Sequence, residues 1–470
     1  MCARVRKDDE DMKSKPQSTR RKFFHQWLAW TKQHQVMVAI IGLLTLGFIT
    51  RFFLFGYPSS AVFDEVYFGK FVGNYFSGSY FFDIHPPFGK LLIAGFAWVM
   101  RYNPTSSFAA IGTAFSDNGY LLLRFLPSLA GALLPLVFYG IAREFGLKNR
   151  TAFLIGLAVI LDNALLAQSR FVLIDSLLLL FGFASLWAYL VWRRRRKWQW
   201  IVGAAALAGM AVSVKWTAAI FLALPIIIEV LRWVRWQRFV KVLAVYFAIP
   251  VLLYLSFFVI HVSLLTKTGD GDVFMTPAFQ SGLRGNQYAS TNEYRPLNLP
   301  AKIVELNYQM YAANQRLTAG HPYGSKWYTW PIMLRPISYW VEGTGAIWLI
   351  GNPLVWWGSL AGLLTLIGML IAKKLTVKSF DAAWIVLIGF AISWLPFAAI
   401  SRVMFLYHYF IPLGFAILAA GIVVDRMSLK EQTFIALLLS ATFLLFAPAS
   451  YGIAINQQLL NLRSWLPTWR

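Results

Sequence analysis

The sequence predicts an all-α polytopic membrane protein, on the evidence of its composition, its apolar runs and the placing of its positive charges. Of 470 residues, 58% are hydrophobic and only 13% are charged, whereas soluble domains carry about 25% charged residues. The apolar runs reach the roughly 20 residues that a transmembrane helix needs. Lys and Arg outnumber Asp and Glu by 43 to 20, but they lie in short clusters between apolar runs. This distribution is typical of membrane orientation, so we expect no nucleic-acid partner.

About eleven transmembrane helices are predicted, with boundaries uncertain by several residues and an alternative division of 199–231 left open. With the N terminus inside, every cytoplasmic loop carries at least two Lys or Arg, as the positive-inside rule requires. The densest cluster is RRRRK at 193–197. The predicted spans are 36–55, 119–142, 151–167, 171–192, 199–214, 217–231, 239–262, 347–372, 380–400, 403–424 and 432–454.

The chain is predicted to divide into a basic cytoplasmic tail, residues 1–35, and one transmembrane domain, residues 36–470. The tail is polar and lacks the short apolar core and cleavage site of a signal peptide. Cys2 is the single cysteine, which excludes an internal disulfide framework and argues against a metal–thiolate site.

Two extracytoplasmic loops, 56–118 and 263–346, are too long to serve only as connectors, and both are rich in aromatic residues. Long ordered loops usually form lids, clefts or binding surfaces. Within them, residues 91–102 and 303–317 are amphipathic and too short to span a bilayer. We therefore expect two helices that lie on the membrane surface.

Four ionisable residues fall in or beside predicted spans, where charges are costly and usually functional. They are Arg124 at the second span, Arg170 and Asp175 at the fourth, and Lys215 between the fifth and sixth. The predicted topology places all four near the outer face. Arg170 and Asp175 could form a structural ion pair, and the other two could snorkel to the interface. Alternatively, the basic groups bind an anionic headgroup such as a lipid-linked phosphate.

Asp64 and Glu65, in the loop after the first span, lie at the same predicted level. A carboxylate there can bind a metal, pair with a base or accept a proton from a hydroxyl. The sequence has no His, Cys and Asp cluster at metal-ligand spacing, and neither a P-loop nor a dinucleotide fingerprint. Carboxylates beside a lipid-phosphate site indicate group transfer from a lipid-linked donor, and the residues alone lead no further.

A series of distinctive sequence blocks follows in order from about 50 to 420. The blocks are FDEVYFGKF, YFFDIHPPFGKLLIA, LLRFLPSLAGAL, LDNALLAQSRFVLIDSLLLLF, VSVKWTAAIF, HPYGSKWYTWPIMLRPISYW, GNPLVWWGSLAGLL and YHYFIPLGF. Together they resemble the protein O-mannosyltransferase family. These membrane enzymes transfer mannose from a polyprenyl-phosphate carrier to Ser or Thr hydroxyls, and the resemblance implies the GT-C glycosyltransferase fold.

One departure from the family pattern bears on the carrier. Eukaryotic members carry a β-trefoil insertion between spans seven and eight, and the corresponding loop here, 263–346, leaves no room for it. The resemblance therefore implies a bacterial-type enzyme that uses polyprenyl-phosphate mannose rather than the dolichol form.

The resemblance also implies roles for individual residues. Asp64 is the general base, and Glu65 positions the acceptor or polarises Asp64. Arg124 and Lys215 hold the carrier phosphate, and Arg170 joins them or holds Asp175. For His85 and Lys90, structural anchoring of the loop is an alternative of equal weight. The loop and substrate-cleft residues are Asp83, His85, Lys90, Asp175, His321, Trp330, Arg335, Tyr407 and His408.

The implied reaction inverts configuration at C1 of mannose and needs no cofactor, with a divalent metal left open. The expected partners are the polyprenyl-phosphate mannose donor, a Ser/Thr-containing acceptor polypeptide and membrane lipids, with a secretion-machinery partner left open. We expect a multi-pass plasma-membrane protein whose active site faces away from the cytoplasm. The alternatives are a GT-C transferase that moves another lipid-linked sugar to a lipid or polysaccharide, a transporter or flippase, and a non-catalytic scaffold.

Overall fold

The computed structural model describes residues 33–232, 236–291, 293–316 and 320–469. The predicted cytoplasmic tail, 1–35, lies almost entirely outside the described residues. Apart from one small hairpin, the regular structure in the described residues is helical.

The helices are numbered here in chain order, and short 3₁₀ turns are named where they matter. The α-helices are α1 (Gln35–Phe52), α2 (Glu65–Ser77), α3 (Phe88–Val99), α4 (Tyr120–Glu144), α5 (Asn149–Ile160), α6 (Asn163–Ser169), α7 (Asp175–Arg195), α8 (Trp198–Val212), α9 (Ile220–Leu231), α10 (Trp236–Leu264), α11 (Pro277–Gln280), α12 (Leu299–Arg316), α13 (Pro353–Ile371), α14 (Val377–Trp394), α15 (Phe410–Val424), α16 (Leu429–Tyr451) and α17 (Gln457–Asn461). The hairpin strands are β1 (Ile337–Glu342) and β2 (Gly345–Leu349).

Each of the eleven predicted spans overlaps helical backbone, which confirms a polytopic helical protein, although the span 347–372 begins in strand β2 and 151–167 crosses the break between α5 and α6. In the described chain, eight helical segments are long and apolar enough to cross a membrane, or nine if the bent pair α5–α6 counts as one span. Helix α8 and the segment Trp216–Leu231 are shorter apolar helices. The figure of about eleven spans therefore stays a prediction.

The break between α5 and α6 has a clear local cause. The two helices are bent by 59° relative to each other, and Asp162 lies at the break as the N-cap of α6. Its carboxylate accepts hydrogen bonds from the backbone N–H of Leu165 at 2.8 Å and of Asn352 at 3.1 Å. An Asp that caps a new helix satisfies free N–H groups and favours a helix start rather than a helix interior.

Three spans form the centre of the bundle. The span of α7 is 78% buried, that containing α15 is 72% buried and α4 is 61% buried, whereas α1 and α10 are only 22% buried. A helix that is apolar on all sides is buried in the core or faces lipid. The central helix α7 carries Asp175 at one end and arginines 193–195 at the other.

Two helices lie close to the segments predicted as surface helices, slightly displaced. Residues 91–102 correspond to α3 and residues 303–317 to α12. Helix α3 buries Ile93 and Ala97 and exposes Trp98, as an amphipathic helix at an interface does. Helix α2 and the β1–β2 hairpin were not predicted, although the hairpin's turn contains Gly343 with φ of 58°.

Candidate active site

A large pocket opens between the two long loops, 56–118 and 263–346, and the starts of the central spans. Its volume is about 1030 Å³, the upper end of the range for ligand-binding clefts. Much of the wall is apolar and aromatic. The charged, histidine and tyrosine side chains that line it are Asp64, Tyr67, Asp83, His85, Asp175, Lys215, Arg316, His321, Arg402, Tyr407 and His408.

Asp64 is the carboxylate most available for chemistry in this pocket. It is the N-cap of α2, and its side chain makes no hydrogen bond to any residue that the structure describes. Burial raises the pKa of Asp64 to about 7, Lys215 opposes this shift, and Asp175 and Asp83 add to it. A carboxylate with a pKa near neutral pH is well matched to accept a proton from a hydroxyl.

The backbone that presents Asp64 is unusual. Phe63 has a φ of 47°, which is uncommon for a bulky residue and costs about 1–3 kcal/mol. Two contacts to Tyr339 of β1 hold it there. The rings stack at 4.0 Å with an interplanar angle of 8°, and the N–H of Phe63 donates to the Tyr339 carbonyl at 3.1 Å. The hairpin therefore fixes the position of the residue before Asp64.

Lys215 and Asp175 form an ion pair in the wall of the pocket. Lys215 Nζ lies 2.8 Å from Asp175 Oδ1 and 3.0 Å from Oδ2. Gln168 donates to Asp175 at 2.7 Å and accepts from the hydroxyl of Tyr339. Lys215 also lies 5.2 Å from the ring centre of Tyr407. It lies at the break between α8 and the 3₁₀ turn Trp216–Ala219, as its position between two predicted spans suggested.

The turn around Pro86 and Pro87 is closed by Lys90. This lysine is 1% exposed, pairs with Asp83 and donates to the carbonyls of His85 at 2.8 Å and Pro86 at 3.2 Å. Lys90 does not line the pocket, whereas Asp83 and His85 do. Burial and the nearby cations Lys215 and Lys90 hold the pKa of His85 well below its usual range, so its imidazole is neutral at pH 7.

Glu65 and Arg124 form a second, fully buried ion pair outside the pocket. Arg124 Nε and Nη2 lie 2.8 Å and 2.6 Å from the Glu65 carboxylate. The remaining Arg124 donors reach backbone carbonyls of Gly56, Pro58 and Ser60. The phosphate contact expected for Arg124 is therefore not seen, because every guanidinium nitrogen already has a protein partner.

Glu65 likewise takes a structural place rather than the acceptor contact implied by the resemblance. It is 0% exposed and accepts hydrogen bonds from the N–H groups of Val62 at 2.9 Å and Val172 at 2.8 Å. Its neighbour in sequence, Asp64, points to the pocket instead. The adjacent acids thus have separate environments.

Arg170 also differs from its expected place. It is the residue after α6, and it donates to the carbonyls of Ser450 at 3.1 Å and Leu54 at 2.7 Å. The expected Arg170–Asp175 contact is absent, and Asp175 pairs with Lys215 instead. The expectation assumed one continuous helix, whereas Asp175 begins α7 after a break at 171–174.

The remaining predicted cleft residues separate into three groups. His321, Tyr407 and His408 line the pocket. Trp330 is fully buried behind it, stacked on His408 at 5.8 Å between ring centres. Arg335 is exposed and lies outside the pocket.

Arg402 is the pocket residue that sequence reasoning missed. It lines the pocket and has no ion pair or hydrogen bond to the residues that the structure describes. A usable signal existed, because Arg402 falls between two spans at the predicted outer face. The positive-inside rule makes a basic residue unusual there. Among the described residues, no group of three His, Cys, Asp or Glu is placed to hold a metal ion.

Two family models and several curated relatives match this sequence. A model described as dolichyl-phosphate-mannose-protein mannosyltransferase matches residues 41–266. A second, the C-terminal four-transmembrane region of protein O-mannosyltransferase, matches residues 299–469. Protein O-mannosyltransferase 1 of Drosophila pseudoobscura pseudoobscura is 36% identical over 54% of this chain and 30% of its own length. Protein O-mannosyl-transferase 1 of Rattus norvegicus is 31% identical over 55% of this chain and 38% of its own length. The chain thus covers about a third of these relatives.

Two solved structures share the fold. The Saccharomyces cerevisiae protein O-mannosyltransferase Pmt1-Pmt2 complex, bound to its sugar donor, matches with a TM-score of 0.84 over 92% of each chain at 20% identity. The Archaeoglobus fulgidus oligosaccharyltransferase matches with a TM-score of 0.54 over 93% of this chain and 58% of that one, at 13% identity. These likenesses support a GT-C fold. Because the two family models together match most of the sequence, the chain belongs to the protein O-mannosyltransferase family.

Proposed function

We propose that this protein transfers mannose from a lipid-phosphate carrier to Ser or Thr hydroxyls of a polypeptide, with inversion at C1. The observation that carries the proposal is the free carboxylate of Asp64, with a pKa of about 7, in a pocket that also holds Lys215 and Arg402. The names of the relatives give the sugar and acceptor class.

Asp64 is the general base of this mechanism. An alcohol is a weak nucleophile at neutral pH, and loss of its proton as the new bond forms lowers the barrier. The acceptor oxygen attacks C1 of mannose while its proton passes to Asp64. The bond from C1 to the phosphate oxygen breaks, and its electron pair leaves with the carrier phosphate.

Lys215 and Arg402 stabilise the leaving phosphate. Both line the pocket that contains Asp64, and positive groups placed where charge develops lower the barrier. Lys215 is held in position by Asp175, whereas Arg402 keeps its donors free of the described residues. These two cations replace the expected combination of Lys215 with Arg124 and Arg170, because every guanidinium nitrogen of Arg124 has a protein partner and both terminal nitrogens of Arg170 donate to backbone carbonyls.

We further propose the finer assignments of carrier and location. The segment between α10 and α13 contains only short helices, α12 and the hairpin in its described part, which supports the compact, bacterial-type form and a polyprenyl carrier. Asp175 begins α7, and arginines 193–195 end it. Under the positive-inside rule this polarity supports an active site on the extracytoplasmic face of the plasma membrane, where exported polypeptides emerge from secretion machinery.

The test is transfer by the purified full-length protein, with polyprenyl-phosphate mannose and a Ser/Thr-rich peptide. We expect Asp64→Asn to lose about 10²–10⁴-fold in rate while still binding the carrier. Asp270→Asn, the same change at an exposed residue outside the pocket, is the matched control and should transfer normally. Loss of a general base should leave about a hundredth of the rate or less. An Asn variant that folds and retains more than about a tenth of the wild-type rate would therefore exclude this role. Parallel reactions with dolichyl-phosphate mannose separate the two carriers.

A further inference from the structure

A second cavity lies at the opposite end of the central helix from the active site. It has a volume of about 220 Å³ and is formed where α4, α7, α9 and α14 end or begin. Helix α7 has 21 residues, so its two ends are roughly 30 Å apart, about the thickness of a bilayer's hydrocarbon core. The cavity is therefore distinct from the pocket of Asp64.

The cavity has a strong excess of positive charge. Its lining includes five cations and two carboxylates, namely Arg193, Arg194, Arg196, Arg232, Lys378, Glu144 and Asp381. The carboxylates are already used. Arg194 holds Glu144 through two bonds of 2.7 Å, and Asp381 pairs with Arg193 at 3.0 Å and with Arg232.

Two of the five cations have no anionic partner among the described residues. In the described part of the chain, Arg196 and Lys378 form neither an ion pair nor a side-chain hydrogen bond; Arg196 lies over the ring of Trp192. The pKa of Arg196 is lowered by burial and then by the like charge of Arg238, which indicates that the site is short of anions. Buried Nε of Arg193 also lacks a hydrogen-bond partner. One unpaired buried donor, Arg193 Nε, together with two exposed cations that have no anionic partner, points to an absent anion.

The side chain of Lys378 reaches the backbone just after α4. Helix α4 is followed by Gly146 with φ of 79°, and a side chain there would collide with Lys378. Such a φ is disfavoured for any residue with a Cβ. The lysine can therefore lie across the end of α4, close to the cavity.

The rest of the lining is apolar and belongs to membrane helices. Phe145, Leu190 and Ile385 face the same cavity as the cations, and Phe145 and Leu190 are 5% and 6% exposed. Basic pockets between transmembrane helices bind anionic headgroups. A cavity of about 220 Å³ is below the usual range of about 300–1,000 Å³ for drug-sized ligands, so it suits a headgroup alone.

We propose that this cavity binds the phosphodiester headgroup of an anionic phospholipid. Arg196 and Lys378 supply the free charges, Arg193 adds its unpaired Nε, and the apolar side accepts the glycerol end of the lipid. The bound lipid would join the ends of four helices, so it should stabilise the fold. This site is independent of the mannosyl transfer proposed above.

The experiment compares lipids on the full-length protein in detergent micelles, by native mass spectrometry and by thermal unfolding. We expect phosphatidylglycerol to be retained and to raise the Tm, and phosphatidylcholine to do neither. Because each basic residue near a membrane surface contributes about 1 kcal/mol, the double variant Arg196→Gln/Lys378→Gln should bind phosphatidylglycerol at least about tenfold more weakly. Both positions are exposed, so the variant should fold.

The matched control is Lys374→Gln/Lys430→Gln. Both lysines are exposed, and neither lines the cavity, so the net charge changes equally. Equal loss of lipid binding in the two double variants would overturn the proposal, because it would indicate general surface attraction. Stabilisation by soluble glycerol 3-phosphate to the same extent as by phosphatidylglycerol would overturn the assignment to a lipid.

Discussion

Arg124 and Glu65 are joined by a buried ion pair of 2.6 Å in which neither side chain is exposed. The pair ties α4 to the start of α2, and Arg124 also gathers three carbonyls from 56–60. It therefore fixes the chain on both sides of Phe63. Asp64 is free for chemistry because its neighbour Glu65 is fully engaged with structure.

We expect Arg124→Ala to act through stability. Removing one partner of a buried ion pair typically costs about 3–5 kcal/mol, because a buried charge is left unpaired. The Tm of the purified protein should fall sharply, and the double variant Glu65→Gln/Arg124→Met should recover part of the loss. An Arg124→Ala protein with normal Tm and selectively weakened carrier binding would instead support the phosphate contact expected from the sequence.

The pKa of Asp64 predicts how transfer depends on pH. A base must be deprotonated, and burial raises the pKa of Asp64 to about 7. The value of kcat/KM should therefore fall by about tenfold for each pH unit below 7 and level off above it. A rate that is constant between about pH 5 and 8 would contradict a base with this pKa.

The raised pKa of Asp64 also affects stability, in the opposite direction: the ionised form that can act as a base is the form that destabilises the fold. The folded protein holds the Asp64 proton more tightly than the unfolded chain, whose ordinary value is 3.8. Ionisation of Asp64 therefore destabilises the fold progressively as the pH rises from about 4 to about 7. Asp64→Asn should be at least as stable as the wild type, by up to a few kcal/mol above pH 7. A lower Tm for this variant at about pH 8 would mean that Asp64 is structural.

The sequence predicted the helical architecture well because its signals are local. Apolar length identified the spans, the scarcity of acids drew attention to Asp64, and a charge between two predicted spans drew attention to Lys215. Which charged residues form ion pairs with each other was not predictable in the same way. Glu65 and Arg124 are 59 positions apart, and no periodicity encodes which of several buried charges pair. Arg402 was missed because it belongs to no helix, and Arg170 was misplaced because a helix break was not visible.

Arg402→Gln should weaken use of the donor. A hydrogen bond to a charged group contributes about 1.5–3 kcal/mol, so kcat/KM for the lipid donor should fall by about ten- to a hundredfold. Lys215→Gln should do the same and also lower the Tm, since it leaves Asp175 without its cation. Kinetics over a range of carrier concentrations measure both effects. Unchanged kcat/KM for the donor in the two variants would place the phosphate elsewhere.

Tyr339 contacts both Phe63, which precedes Asp64, and Gln168, which holds Asp175. Two different substitutions of Tyr339 should distinguish the effects of these two contacts. Its ring stacks on Phe63, beside Asp64, and its hydroxyl donates to Gln168, which in turn holds Asp175. Tyr339→Phe keeps the ring and removes one hydrogen bond, worth about 0.5–1.5 kcal/mol, so transfer should fall by only about two- to tenfold. Tyr339→Leu also removes the stack that holds Phe63 in its left-handed conformation. Because a displacement of about 1 Å can cost about 10²-fold in rate, the Leu variant should lose mainly kcat, with carrier binding near that of the Phe variant. If the two variants had equal kcat, the stack on Phe63 would not position Asp64.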